Sequence, residues 1–294
     1  MERIKGVCIM TKLGLILEGG GVRGIYTAGV LDCFMENGIE MDAVFGVSAG
    51  TLHALNYKAK QPKRSYRVGT KYVHDKRYMG ISSLIHTGDI FGADFCYHTL
   101  PDQLEIFDYD TYRKNPMKLY ATVSNLETGK PEYVLCEDAK TQIEYVRASA
   151  SLPLLSRIVE IDGKKYLDGG ITDSIPLNAA IHMGYEKNIV VCTRSYGYQK
   201  EPNKMIGMIK KKYKQYPKFV QAADRRHIVY NEELKLIEQK EKSGDILVLR
   251  PTQSLAVKRI ERDTQKIKAQ YELGYQDARE KLDEIKLFIR RNRG

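Results

Sequence analysis

No stretch of this chain approaches the ~20 consecutive apolar residues of a membrane-spanning helix. The first twelve residues, MERIKGVCIMTK, have no apolar core long enough for a secretory signal. Residues 1–12 therefore read as an N-terminal extension, and a cytoplasmic protein is expected, with any membrane contact peripheral, at the inner face. Cysteine is scarce. Cys8, Cys33, Cys96, Cys136 and Cys192 are odd in number and scattered, and no CxxC pair occurs. Neither a zinc site nor a disulfide framework is indicated, so buried or idle thiols are expected. Internal repeats and low-complexity tracts are also missing. Acid is in deficit, with 37 Asp and Glu against 47 Lys and Arg, a formal net charge of +10. Such a balance favours polyanions, either nucleic acid or an anionic membrane surface, but does not choose between them.

What remains is ordinary globular material: 43% apolar and 29% charged residues over 294 positions, enough chain to bury a sizeable core. The length suits two domains, or one large α/β domain with appended helices. Leu13 to Leu17 (LGLIL) reads as a buried strand, followed by a glycine cluster and a helix from about Gly24 to Asn37, closed by Gly38. Ala43 to Gly46 is a second strand, with another helix running to about Lys60. Strand, crossover helix and strand imply a parallel pair, and hence an α/β sheet covered on both faces. Residues 62–116 read as helical pieces broken at Gly80, Gly88, Gly92 and Pro101. Lys118 to Leu126 and Glu132 to Cys136 read as strands. Arg157 to Leu167 reads as a hairpin turning at Asp162-Gly163 in type I′ geometry. Asn188 to Thr193 and residues 245–250 are further buried strands. From Leu255 to Arg293 the chain reads as charged helix, with Gly274 the natural break.

Gly19-Gly20-Gly21-Val22-Arg23-Gly24 follows the first strand and opens a helix. It fits G-x-G-x-x-G, the dinucleotide fingerprint, in its proper context. A cofactor site of that kind wants an acid at the end of the next strand to hold the ribose. That strand ends instead in Gly46-Val47-Ser48-Ala49-Gly50, and Asp42 lies at its other end. G-x-S-x-G is a nucleophile elbow by pattern, where the serine takes a strained backbone at a sharp strand-to-helix turn. The two turns then explain each other: an acyl-transfer serine needs backbone N–H donors aimed at the oxyanion, and a glycine loop on the neighbouring strand presents them. Arg23 either braces the loop or attracts an acidic substrate.

A triad would need a histidine. None of His53, His74, His86, His98, His182 and His227 lies in a glycine-marked loop. His53, five residues past Ser48 on the outgoing helix, is expected to face away from the apex. Asp168-Gly169-Gly170 places a carboxylate at a strand end in a tight turn; Asp108, Asp110 and Asp162 would serve equally on chemistry alone.

GGGVRG at 19–24, GVSAG at 46–50 and DGG at 168–170, with Ala148-Ser149-Ala150-Ser151-Leu152-Pro153 as a fourth block in the A-S-x-x-x-P pattern, resemble the patatin-like phospholipases in order and spacing. The resemblance covers residues 13–195. It implies a three-layer α/β/α hydrolase with a mainly parallel central sheet and a Ser–Asp dyad without histidine: Ser48 the nucleophile, Asp168 the general base, and Gly20, Gly21 and Val22 the oxyanion donors. Gly19, Arg23, Gly24, Gly46, Gly50, Gly169 and Gly170 complete the motifs. The substrate it implies is an acyl ester of a lipid, cleaved as a lipase or phospholipase A would, with no metal and no cofactor. Ser174 departs from the family's usual Asn, two residues before Pro176. Residues 196–294 form a basic, largely helical C-terminal region, with the strand at 245–250, expected to pack on the catalytic domain. Within it, Lys200 to Arg226 holds nine basic residues against Glu201 and Asp224, leaving +7. This segment, with Met205, Ile206, Met208 and Ile209 among its lysines, is either a plain surface helix or a contact for an anionic membrane. No nucleic-acid motif accompanies it. A dinucleotide-binding enzyme and a non-catalytic membrane-binding protein on a hydrolase scaffold are the rival readings.

Overall fold

The computed structural model describes residues 11–293, so Cys8 and most of the 1–12 segment lie outside the described residues. Strands β1 (Leu13–Leu17), β2 (Ala43–Val47), β3 (Lys118–Asn125), β4 (Pro131–Leu135), β5 (Val159–Ile161), β6 (Lys164–Asp168), β7 (Lys187–Val191) and β8 (Ile246–Leu249) form one sheet. Its order is β5-β6-β3-β2-β1-β7-β8, with β4 also paired to β3. Neighbours from β3 through β8 run parallel, whereas the β3–β4, β3–β6 and β5–β6 pairs are antiparallel. The architecture is thus the mixed α/β sheet, mainly parallel, that the sequence predicts. The β5–β6 turn has positive φ at both Asp162 (51°) and Gly163 (74°), as a type I′ hairpin requires.

The helices are α1 (Ile25–Glu36), α2 (Ala49–Lys58), α3 (Arg64–Lys71), α4 (Ile81–Thr87), α5 (Tyr109–Lys114), α6 (Ile143–Ser149), α7 (Leu177–His182), α8 (Ile206–Lys212), α9 (Pro217–Lys242), α10 (Thr264–Glu280) and α11 (Leu282–Arg293). Side chains alternate across a strand, and β1 shows what that does here. Leu13, Leu15 and Leu17 pack with Tyr26 and Val30 of α1, Leu55 of α2, Leu273 of α10 and Ile285 of α11. Ile16 points the other way, into a cluster with Phe45, Leu177 of α7 and Tyr230 and Ile237 of α9. Three layers result, with β1 in the middle of the sheet buried on both faces. Cys33, Cys136 and Cys192 are buried, as expected of idle thiols.

Two expectations fail. Pro101 does not break the chain: it sits inside a wide π-type helix, Phe95–Leu104, whose broader turn tolerates a missing N–H. Gly274 does not end a helix either, because α10 runs through it to Glu280. Its role is a crossing. A Cβ on Gly274 would lie 2.0 Å from the Tyr26 carbonyl oxygen, and one on Gly29 would lie 2.1 Å from that of Tyr271. The paired glycines let α1 and α10 touch backbone to backbone. No helix among the described residues is long and apolar enough to cross a membrane.

Candidate active site

The carboxyl ends of parallel strands form the usual ligand crevice of an open α/β sheet, and the predicted residues meet there. At the end of β2 the chain reverses into α2 with Ser48 at the apex, at φ 54° and ψ −122°. This is backbone that a non-glycine residue holds only when its surroundings impose it. The flanking glycines allow the reversal: a Cβ on Gly46 would lie 2.6 Å from the Thr51 Cα, and one on Gly50 would lie 2.5 Å from the Leu17 carbonyl oxygen. Ser149, at the end of α6, holds the apex by accepting the Ser48 N–H on its hydroxyl (3.0 Å), and that hydroxyl also bonds Thr51 Oγ1 (2.9 Å).

Asp168 ends β6 and is 3% exposed. The Ser48 hydroxyl donates to its Oδ2 at 2.7 Å, and the Gly170 N–H donates to its Oδ1 at 2.8 Å. Its own N–H donates to the Ser151 carbonyl (2.8 Å), and the Ser124 hydroxyl donates to its carbonyl (2.8 Å). The segment 148–153 therefore staples both partners, Ser149 fixing the serine turn and Ser151 the Asp168 backbone. Burial pushes the Asp168 carboxyl above its ordinary range; the Ser48 hydrogen bond, Arg226, the Gly170 N–H and Arg259 pull it back in part. Asp108 instead caps α5, Asp110 pairs with Arg113, and Asp162 sits in the hairpin turn.

The glycine loop runs beside this pair as a short 3-10 turn, Gly21–Gly24, leading into α1. A Cβ on Gly19 would lie 3.1 Å from that of Ser48, so the loop backs directly on the serine. Among the described residues, neither Gly20 nor Gly21 has a backbone partner for its N–H, whereas Val22 donates its own to the Arg259 carbonyl at 2.9 Å. Two loop donors are free in this conformation and the third is engaged. Gly24 packs on Ala49, and Gly169 against the Thr122 carbonyl. The dinucleotide reading of this loop wants an acid at the end of β2, where Ser48 stands instead; Asp42, at the opposite end of β2, accepts the Leu13 N–H.

No histidine bonds the serine among the described residues. His182 Nδ1 contacts the Asn178 carbonyl and His227 Nδ1 that of Asp224. His53 does not face away as expected: it lines the same cleft as Ser48. Its Nδ1 is held by the Ser65 hydroxyl at 3.0 Å, and burial drives its pKa down to about 4, so it stays neutral. The cleft has a volume of about 170 Å³ and is lined mainly by apolar side chains, among them Leu52, Val68, Val73, Phe91, Leu100 and Ile267. Ser48 stands in its wall. An apolar cleft with a few placed polar groups is the form of a binding site for a hydrophobic ligand.

Beyond the predicted residues, the site contains a carboxylate that no motif marks. Glu18, buried at the end of β1, accepts the Thr193 N–H (2.5 Å) and the Tyr230 hydroxyl (2.7 Å). The basic segment also divides. Ile209 is buried and Met205 and Met208 are exposed around α8, while Arg226 lies against the turn that holds Asp168 and Lys200 lies over the Tyr230 ring. The sequence, which carries no information on facing, presents them as one surface.

The patatin-like phospholipase family model matches residues 15–181, and a domain of unknown function (DUF6363) matches residues 216–290. The uncharacterized protein YjjU of Escherichia coli (strain K12) is 29% identical over 187 residues, covering 62% of this chain and 52% of that protein. Lysophospholipase nte1 of Aspergillus fumigatus is 29% identical over 178 residues, covering 56% of this chain and 11% of that protein. The chain thus spans about half the length of the first relative and about a tenth of the second. VipD from Legionella pneumophila superposes on 93% of this chain and 67% of that one, with a TM-score of 0.46 and 14% identity.

Proposed function

The chain belongs to the patatin-like phospholipase family, and from that premise we propose that it is a serine acyl hydrolase that cleaves acyl esters of lipids through a Ser48–Asp168 dyad. The observation that carries the reading is the 2.7 Å hydrogen bond from the Ser48 hydroxyl to Asp168, made on a strained elbow in the wall of an apolar cleft. An acyl chain lies in the cleft, where each buried methylene contributes about 0.8 kcal/mol. The serine oxygen attacks the ester carbonyl as its proton passes to Asp168. The oxyanion is held by the free N–H groups of Gly20 and Gly21, and by that of Val22 when the Arg259 carbonyl gives it up. Collapse of the tetrahedral intermediate breaks the C–O bond, the leaving alkoxide takes the proton from Asp168, and an acyl-serine remains. Water then attacks, loses its proton to Asp168, and the acid departs as Ser48 is reprotonated. The raised pKa of Asp168 serves this cycle, since a stronger base is better matched to the proton of an alcohol.

Residues 13–195 form the catalytic unit in this reading, and 196–294 a basic region packed around it. The exposed Lys211 and Lys212 with Met205 and Met208 make a peripheral contact with an anionic lipid surface. The test is labelling by a fluorophosphonate probe together with hydrolysis of a p-nitrophenyl acyl ester and of phospholipid. Wild type is labelled and turns over, and Ser48→Ala does neither while melting normally. An unlabelled wild type that hydrolyses no ester would remove the reading.

A further inference from the structure

Five cations converge on the end of the sheet next to Ser48 and Asp168. Arg23 comes from the glycine loop, Arg194 and Lys200 from the segment after β7, Arg226 from α9 and Arg259 from the segment before α10. The Arg226 Nη2 lies 3.2 Å from where a Gly170 Cβ would be, against the turn that holds Asp168, and the Arg259 side chain lies against Gly21. Arg194 and Lys200 share the Tyr198 ring, at 4.4 and 5.9 Å from its centroid, and Lys200 also sits 4.1 Å over Tyr230. Arg259 acts as a charge neighbour on Arg23, Lys200, Arg226 and Asp168 alike.

No carboxylate among the described residues pairs directly with any of these charges. Among the described residues, none of the five side chains is in an ion pair within 4 Å or donates a hydrogen bond. Arg23 Nε and Arg226 Nε are both buried without a partner. The nearby carboxylates are engaged elsewhere: Glu18 by Thr193 and Tyr230, Asp168 by Ser48 and Gly170, and Glu233 by the Ser174 N–H. Burial also raises Glu233 and its neighbour Asp173, which favours a proton between them over a charge facing Arg226. Burial, then Arg226, Arg259 and Arg23, bring Lys200 down to about 7 against the pull of Glu18. Buried guanidinium donors left open are costly, and the two at Arg23 and Arg226, with Arg194 and Arg259 gathered beside them, are accounted for by an anion that joins them.

We propose that Arg23, Arg194, Lys200, Arg226 and Arg259 form a subsite for a phosphoryl group beside the Ser48–Asp168 pair. Guanidinium forks match the oxygens of a phosphate two at a time, and a tetrahedral oxyanion, unlike a flat carboxylate, presents oxygens to several forks at once. None of the five lines the apolar cleft, so an acyl chain and a phosphorylated headgroup have separate places around Ser48. This inference names the substrate class of the activity proposed above and rests on that reading for its catalytic arm only. Four of the five cations lie C-terminal to the family match at 15–181, so this chain's own C-terminal region supplies most of the subsite.

Two arms test it. Calorimetry of inorganic phosphate against Ser48→Ala protein needs no turnover. Saturable binding that weakens at least about tenfold in Lys200→Gln and in Arg259→Gln, the loss of one charge-assisted pair, is the expected result. Arg226→Gln should act in the same direction, and the other two variants keep the test open if it does not fold. The second arm is the ratio of kcat/KM on a lysophospholipid to that on a monoacylglycerol of the same acyl chain, both in neutral detergent micelles. That ratio falls about tenfold or more in the same variants, through KM, if the phosphoryl group is the substrate's headgroup; phosphate binding that is lost while the ratio holds identifies free phosphate as the occupant. Lys242→Gln removes the same unit charge on α9 about 24 Å along the helix from Arg226, and should change neither arm. Absence of phosphate binding together with an unmoved ratio overturns the subsite. A wild type inactive on every ester but binding phosphate overturns the proposed activity and leaves the subsite standing.

Discussion

Replacing Asp168 by Asn separates the chemistry of the carboxylate from its structural work. The amide has the same shape, and both contacts at that position can be kept. Its Oδ1 still accepts the Gly170 N–H, as Asp168 does at 2.8 Å, and its Nδ2 donates to the Ser48 oxygen across the present 2.7 Å. The direction of that second bond is reversed, however, and an amide cannot take the serine's proton. Loss of a general base costs about 10²–10⁴ in rate, and no second base bonds Ser48 among the described residues, so the upper end is expected, close to the loss in Ser48→Ala. Stability should move little, for a reason with a definite sign. Burial raises the folded pKa of Asp168, so what this group contributes to stability is fully present below the unfolded value near ~3.9 and is lost as pH rises through the folded pKa. At pH 8 wild type carries the cost of a buried charge that Asp168→Asn does not, while the variant loses the attraction to Arg226. These oppose, and the melting temperature at pH 8 should stay within about 3 °C, under about 1 kcal/mol for a chain of this size. In wild type the acid limb of kcat/KM should lie above the ordinary aspartate range, because the working form is the ionised one. The assay is kcat on a soluble ester for Ser48→Ala, Asp168→Asn, His182→Ala and His227→Ala, with melts for each. A folded Asp168→Asn that keeps more than a few per cent of activity, or a folded histidine variant as inactive as Ser48→Ala, would refute the dyad.

Other expectations follow from the packing and the surface. Gly274→Ala puts a methyl 2.0 Å from the Tyr26 carbonyl, where backbone rather than a side chain must yield; stability should fall by about 2 kcal/mol or more, and an unchanged melt would show that α1 and α10 separate freely. Val68→Phe narrows the apolar cleft and should lower kcat/KM for long-chain esters while sparing short ones; equal effects on both would place the acyl chain elsewhere. Lys210 is already paired with Asp224 at 2.9 Å, so in a Lys210, Lys211 and Lys212 to Gln triple variant the last two carry most of the effect. At about 1 kcal/mol each, binding to anionic vesicles should weaken about 30-fold, and unchanged binding would make α8 a plain surface helix.

The fold was legible where one physical cause dominates. Leu13–Leu17 and Ile246–Leu249 are unbroken apolar runs because parallel strands are buried on both faces, and Asp162-Gly163 takes two positive φ values that few other pairs tolerate. The pairing of Ser48 with Asp168, 120 residues apart, was legible only through the resemblance to the patatin-like phospholipases, since the residues alone left Asp108, Asp110 and Asp162 equally open. Pro101 and Gly274 misled because propensity reports only what a residue costs locally. At Gly274 the missing side chain is used by a helix more than 240 positions away in sequence, whose own Gly29 makes the matching contact. Glu18 had no motif to announce it: its partners, Thr193 and Tyr230, are brought in by β7 and α9. The +7 segment was legible as charge but not as direction, because the placement of Lys200 over Tyr230 and of Arg226 against the Asp168 turn depends on where the chain turns after β7.

That last point bears on how the C-terminal third is to be understood. It supplies β8 to the sheet, and both large core clusters draw on it: Leu247, Leu273 and Ile285 on one face, Tyr230, Ile237 and Val248 on the other. It also reaches the chemistry. The Arg259 carbonyl engages the Val22 N–H, one of three donors the glycine loop offers, and removing a single oxyanion donor costs about 10²–10³ in rate in well-studied hydrolases. The same residue's charge adds to the Ser48 hydrogen bond, Arg226 and the Gly170 N–H in holding the Asp168 carboxyl down against burial. In the proposed mechanism, one residue far along the chain would thus engage one oxyanion donor through its backbone and favour the ionised base through its charge. The glycine loop and the serine elbow are complete as motifs within the first fifty residues, yet one N–H of the loop is engaged, and the charge around Asp168 adjusted, by a residue more than two hundred positions later.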